Sequence, residues 1–277
     1  MPAAPPAWSP LPPSGVLARY EIWDSYLTQE RGAATVPAIE ALLPLVERAA
    51  LKKLCYFADV GLGTASPAIE AWVSTHPDQI DEPLRRWPEL MLGMIQLNAR
   101  DVPRSLVALD RWLRDGPMVG VYFPGSAPAG LPCTHPDVAR LVERVAELGG
   151  SIMMHTWYKT GEAGPPHGST PSDLAELAAR FPGQTFICAH AGGNWELGLR
   201  AVRELPNVVV ETSGFDATAG FLEMAVRELG AERVVFGSHL PSRSLGTELG
   251  KILFAGLDEN QKRLVLGGNF RRLLRRA

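Results

Sequence analysis

Residues 185–195 read Thr185-Phe186-Ile187-Cys188-Ala189-His190-Ala191-Gly192-Gly193-Asn194-Trp195. A short apolar run ends on a histidine and two glycines, and a helical pattern begins at Trp195 and extends to about Arg203. Apolar residues in a run this short mark a buried strand, and the change of period after the glycines marks the helix that follows it.

The same unit recurs on both sides. Upstream, Ser151 to Met154 is a strand, followed by a helix capped by Thr170-Pro171-Ser172-Asp173 that carries Leu174, Leu177, Ala178 and Phe181. Downstream, Asn207 to Glu211 precedes a helix with Leu222, Ala225, Val226 and Leu229. Arg233 to Phe236 is a last strand ahead of helical stretches over Glu248–Phe254 and Asn260–Leu274.

In the first half the strand runs are Tyr20–Leu27, Leu51–Val60, Leu90–Leu97 and Met118–Phe123. Helices are predicted around Ile39–Val46, Pro67–Ser74 and Leu106–Leu113. A fourth has Thr134 as N-cap and the stripe Val138, Leu141, Val142, Val145. Eight strand–helix units in one chain predict a single-domain α/β fold, a TIM-like (β/α)8 barrel over residues 16–277. An open doubly wound sheet is the alternative, but no glycine-rich nucleotide fingerprint follows the first strand. The first fifteen residues, with their many prolines, read as a flexible tail, and they lack the basic and apolar regions of a secretory signal.

Bulk properties remove several function classes. The chain has 277 residues, 27 Lys+Arg against 30 Asp+Glu, and a net charge of −3, so no basic field exists for nucleic acid or an anionic membrane. Its apolar runs are too short to span a bilayer. Cys55, Cys133 and Cys188 form neither an even disulfide set nor a CxxC pair, which fits a reducing cytoplasm. The expected partner is a small-molecule substrate.

Chemistry in such a barrel belongs at the C-terminal ends of the strands. His155, His190 and His239 all fall there, and three convergent neutral imidazoles could hold zinc with an open water position. Asp24, Tyr26 and Thr28 after the first strand, Trp157 and Lys159 after the fifth, Glu211 after the seventh and Arg243 beyond the eighth are the substrate-binding candidates. Gly192-Gly193 could form an anion seat at a helix N-terminus. The ordinary readings are rim hydrogen bonding for a lone histidine and solvated charge for Lys159 and Arg243. His76 reads as a stabilising cation near a helix C-terminus, and His135 and His167 read as solvated surface.

The segments Met153-Met154-His155-Thr156-Trp157, Ala189-His190-Ala191-Gly192-Gly193-Asn194-Trp195-Glu196, Val210-Glu211-Thr212-Ser213-Gly214, Gly237-Ser238-His239 and Leu266-Gly267-Gly268-Asn269-Phe270 resemble, in order, the amidohydrolase-related branch of the amidohydrolase superfamily. The resemblance is close over strands five to eight and loose before them. It implies a distorted (β/α)8 barrel and metal-dependent hydrolysis of amides, esters or lactones, with decarboxylases in the same branch. It also implies that His155 is a metal-ligand position and that His190 binds metal or orients the attacking water.

Two positions depart from that pattern. The family's first strand carries Asp-x-His-x-His, whereas this chain reads Asp24-Ser25-Tyr26-Leu27-Thr28. The family's Gly-Ser-Asp after strand eight is Gly237-Ser238-His239 here. Hydroxyls are poor zinc ligands at neutral pH, the phenol titrating near ~10, so zinc is expected to be weakly held or absent. The expected function is a hydrolase of a small carbonyl substrate in which His190 and His239 handle water and protons, His239 as general base. The alternatives are a decarboxylase, or a degenerate barrel that binds a small molecule or supports another chain.

Overall fold

In the computed structural model, residues 11–12, 14–27, 36–63, 80–124, 131–158, 168–214 and 218–274 are described. The first ten residues of the proline-rich tail, the helix expected over Pro67–Ser74, and Thr28, His76, Lys159 and His167 lie outside them.

Eight strands run β1 (Ile22–Leu27), β2 (Leu51–Ala58), β3 (Met91–Gln96), β4 (Gly120–Phe123), β5 (Ser151–His155), β6 (Phe186–Ala189), β7 (Val208–Glu211) and β8 (Val234–Val235). Each pairs in parallel with the next, in sequence order. The ring is drawn shut by a seam: Ser25 donates its N–H to the Phe236 carbonyl at 3.0 Å, His239 donates to the Tyr26 carbonyl at 2.9 Å, and Leu27 bridges Leu240 in parallel. This near-closed, TIM-like barrel of one α/β domain excludes the open doubly wound sheet.

Side-chain alternation along each strand sorts the core into two layers. Cys55 and Phe57, Leu92 and Met94, Met153, Ile187, Val209 and Val235 fill the barrel interior, with Phe270 and Leu274 in the same cluster. The alternate residues, among them Leu54, Ile95, Ile152, Cys188, Val208 and Val234, pack outward against the helices. All three cysteines are buried free thiols.

The helix Pro171–Arg180 has the predicted capping box, with the Thr170 hydroxyl accepting from Asp173 N–H and the Asp173 carboxylate accepting from Thr170 N–H. The helix Pro136–Leu148 begins one residue later than expected. Its cap is His135, whose Nδ1 accepts from Asp137 N–H, rather than Thr134. Pro136 follows at the first helical position, where it has no N–H to lose. Among the described residues no helix is long and apolar enough to cross a membrane.

Candidate functional site

The inward-facing residues nearest the C-terminal ends of the strands are the site's raw material. Tyr26 on β1, Phe57 on β2, Tyr122 on β4, His155 on β5 and Glu211 on β7 all occupy inward positions. Tyr26 and Tyr122 reach across the barrel, their hydroxyls 2.9 Å apart. Phe57 stacks on Tyr122 with centroids at 4.1 Å and meets Tyr26 edge-on at 4.8 Å. These three rings form an aromatic floor.

His190 follows β6, and the strand's alternation would turn its side chain outward. Its φ of +61° rotates the chain so that the imidazole enters the barrel mouth instead. His239, beyond β8, also has left-handed backbone, at φ +55°. Left-handed backbone at a non-glycine residue costs on the order of 1–3 kcal/mol and persists where the surroundings fix it. The histidines do converge: the His155 and His239 ring centroids lie 5.1 and 5.2 Å from that of His190. Tyr26 is edge-on to His190 at 4.7 Å, and Trp157 is 5.9 Å from it.

The buried shell fixes the state of His190. Its Nδ1 is 3.0 Å from the Ser213 carbonyl, which can only accept, so Nδ1 carries the hydrogen and Nε2 is the basic nitrogen. Burial, then the neighbouring His155 and His239, push its pKa well below the ordinary imidazole value. The ring is neutral near pH 7. Glu211, fully buried, accepts from His190 N–H at 2.9 Å and from Ser213 N–H at 2.6 Å, tying the two loops together. Its carboxyl is pushed up by burial, against the pull of those hydrogen bonds. Gly237 makes room for it, since a Cβ there would meet Glu211 Oε1 at 2.1 Å.

Arg243 is half-buried and donates to the Gly214 carbonyl at 3.0 Å, so it is built into the rim rather than a solvated loop charge. Asp24 is fully buried at the β1–β8 seam. Its Oδ1 accepts from Tyr26 N–H at 3.1 Å and Ser238 N–H at 2.9 Å, and its Oδ2 has no hydrogen-bond partner. Burial raises its pKa to about 7. It therefore supports the β1–β8 seam from within, bonded to backbone on both sides of it.

At Gly192 and Gly193, read above as a candidate anion seat, the Gly193 and Asn194 N–H groups already donate to the His190 and Gly192 carbonyls, each at 2.8 Å. A Cβ on Gly192 would strike Pro171 and one on Gly193 would strike the Trp157 ring, so packing and positive φ account for both glycines.

Sequence reasoning missed four residues. Phe57 and Tyr122 read as core, although their inward parity near a strand end was a usable signal. Glu248 and Lys251 hid in a helical pattern, yet they form a buried ion pair of 2.7 Å behind β7, with Lys251 Nζ also donating to the Thr212 carbonyl at 3.4 Å.

The donors that a metal would need, by the resemblance, are otherwise engaged. The Tyr26 hydroxyl is engaged with Tyr122, its ring packs against those of His190 and His239, and Asp24 Oδ1 is held by two backbone N–H groups. Among the described residues no three His, Cys, Asp or Glu side chains are grouped to hold an ion. The expected centre of His155, His190 and His239 is thus not assembled: two of the three imidazoles pack against the Tyr26 ring, and the donor set does not fit a metal.

Residues 61–276 match the family model described as amidohydrolase. The chain belongs to the amidohydrolase family. The match begins at residue 61, so β1 and β2, which carry Tyr26 and Phe57, lie outside the matched region. No curated protein matches significantly. Among solved structures, the 2,6-dihydroxybenzoate decarboxylase from Rhizobium superposes with a TM-score of 0.66 at 16% identity, over 92% of this chain and 96% of that one. The 5-carboxyvanillate decarboxylase from Sphingomonas paucimobilis gives 0.66 at 14%, over 92% and 98%. The corresponding enzyme from Novosphingobium aromaticivorans, complexed with manganese and 4-hydroxy-3-methoxy-5-nitrobenzoic acid, gives 0.66 at 14%, over 84% and 78%. At such identities the shared property is the fold.

Proposed function

We propose that the barrel mouth binds a small aromatic carboxylic acid and transfers a proton to it, releasing carbon dioxide. The observation that carries this reading is the composition of the mouth. Aromatic faces of Tyr26, Phe57, Tyr122 and Trp157 suit a flat ring, and the rim-held Arg243 suits its carboxylate. The solved decarboxylases of the same fold, two of them in complexes with aromatic acids, support the choice of substrate class.

In the proposed step, protonated His239 gives its proton to the ring carbon that bears the carboxylate. The carbon–carbon bond breaks, its electron pair restores the aromatic ring, and carbon dioxide leaves. His239 is then neutral and regains a proton from solvent, so the net reaction is one carboxylate and one proton to one arene and one carbon dioxide. His190, neutral and with its basic nitrogen fixed by Ser213, orients the acid beside His239. Hydrolysis of an ester or lactone is the second reading, favoured by the same His190 nitrogen, which is placed as a base for water.

The test is a panel of hydroxylated benzoic acids, esters and lactones, followed by carbon dioxide release and product absorbance, for the unsubstituted protein, His239→Asn and His190→Asn. The expected result is carbon dioxide from at least one acid, slowed ~10²–10⁴-fold by His239→Asn with the fold intact. Turnover indifferent to both substitutions would overturn the assignment. Ester or lactone cleavage alone would establish the hydrolase reading, and binding without turnover a ligand-binding barrel.

A further inference from the structure

The helix Leu245–Leu253 buries Leu245, Leu249 and Ile252, yet the ion pair of Glu248 and Lys251 is buried with them. Desolvation offsets the attraction in such a pair, which adds little over a well-packed apolar pair. Stability alone therefore does not account for it. Besides meeting Glu248 at 2.7 Å, the Lys251 ammonium donates to the Thr212 carbonyl at 3.4 Å. That carbonyl belongs to the peptide group whose N–H is Ser213's, and Glu211 Oε1 accepts from this N–H at 2.6 Å. One peptide group is thus gripped at both ends, by Lys251 at its oxygen and by Glu211 at its nitrogen. Thr212 is fully buried, and its own N–H donates to the Val235 carbonyl at 3.1 Å.

We infer that Lys251, held by Glu248, is a positioning residue that fixes the strand end 211–214 and, through it, the tautomer of His190. The inference rests on the reading above that His190 acts in the barrel mouth, and adds a residue outside the mouth on which that action depends. The path is short. The next carbonyl, that of Ser213, lies 3.0 Å from His190 Nδ1, and Glu211 Oε2 is 2.9 Å from His190 N and 3.4 Å from the same Nδ1. Tilting the Thr212–Ser213 peptide swings the Ser213 carbonyl away from Nδ1. The imidazole then loses the acceptor that keeps its hydrogen there, and the hydrogen passes to Nε2, the nitrogen that has to stay basic. A carboxyl that accepts with both oxygens is ionised, and the charge of Lys251 favours that form of Glu211 against its burial.

The experiment uses the full chain, with nitrogen-15 spectra of the histidine rings at pH 7 and the His190 signals identified by their loss in His190→Asn. The unsubstituted protein is expected to show the Nδ1–H tautomer. In Lys251→Met the tautomer ratio should move roughly tenfold toward Nε2–H, the scale of one net hydrogen bond. The double variant Glu248→Leu/Lys251→Met, which leaves no charge buried alone, should show the same shift, and it is read in place of the single variant where that one fails to fold. Arg233→Met controls for a general loosening of β7, since Arg233 donates to the carbonyls of Val202, Arg203 and Val208 and touches none of residues 211–214. It should leave the tautomer as it is. With any substrate that the panel above yields, kcat should fall about tenfold in the double variant while KM stays within about twofold.

An unchanged tautomer in the folded double variant overturns the proposal, whatever happens to turnover. A shift of equal size in Arg233→Met also overturns it, since loss of stability would then be what moved the ring. If the tautomer shifts in the Lys251 variants but the unsubstituted protein turns over nothing in the panel, the reaction assigned above fails while the positioning role stands.

Discussion

The imidazole of His239 lies against the phenol ring of Tyr26, centroids 5.0 Å apart and planes 15° from parallel, and its backbone N–H donates to the Tyr26 carbonyl at 2.9 Å. Two residues far apart in the chain are thereby fixed by ring and backbone together. Asp24 holds the same junction from inside through Tyr26 N–H and Ser238 N–H.

Asp24 makes folding stability depend on pH. Its folded pKa of about 7 is raised from 3.8, chiefly by burial, so the unfolded chain gives up this proton first. Stability from this group is full below about pH 4 and is lost as pH rises toward 7, by on the order of 4 kcal/mol. Asp24→Asn keeps the accepting oxygen and places an amide at the orphan position. Urea melts of the two proteins should converge near pH 4 and diverge toward pH 8, with Asp24→Asn the more stable; parallel curves would show that Asp24 does not titrate in this window. Glu248, also raised to about 7 by burial, is present in both and cancels in the comparison.

Gly237→Ala tests the support of Glu211. A Cβ has no room beside Glu211 Oε1, and overpacking of this kind costs about 1–3 kcal/mol. Glu211 must move, taking with it the hydrogen bond to His190 N–H. The denaturation midpoint should fall, and activity should fall further than in an Ala substitution at Gly183, where a Cβ meets nothing within 4 Å.

Lys251→Met removes the cation from the buried pair and leaves Glu248, 1% exposed, beside Glu211. Breaking such a pair costs about 3–5 kcal/mol, whereas replacing both members can be nearly neutral. Calorimetric melting should therefore show a large loss in Lys251→Met and substantial recovery in Glu248→Leu/Lys251→Met.

Arg233 is the ligand-independent counterpart of Arg243. It donates to the carbonyls of Val208, Arg203 and Val202, knitting β7 to the end of the preceding helix. Arg233→Met should lower stability by about 2–4 kcal/mol with benzoate affinity unchanged in the folded fraction, and Arg243→Met the opposite.

The barrel was legible because each strand is an apolar run punctuated by glycine or a polar end and followed by a helical stripe, as in Phe186–Ala189 and Trp195–Val202. His155, His190 and His239 were legible because strand ends are short and local. What lay beyond the sequence was rotation and parity across the chain. Nothing local says that His190 and His239 adopt positive φ, or that Tyr122 on β4 bonds Tyr26 on β1, because those relations exist only once the ring of strands closes. The ion site was illegible for the same reason: imidazoles at three strand ends say nothing of what else packs against them, here the Tyr26 ring against His190 and His239.

The short β8 gives the seam few bonds, and two of these are made by Ser25 and by His239 itself. Elsewhere around the ring, ladders up to five residue pairs long are independent of the histidines. Local opening free energy falls where backbone bonds are few, so the barrel's most easily breached joint and its chemical centre are one place. Amide exchange at His239 should then run faster than at Met94 or Ile152, and a ligand that bridges the mouth should slow it. Occupancy would act as a clasp, letting the protein report a bound molecule through its own breathing.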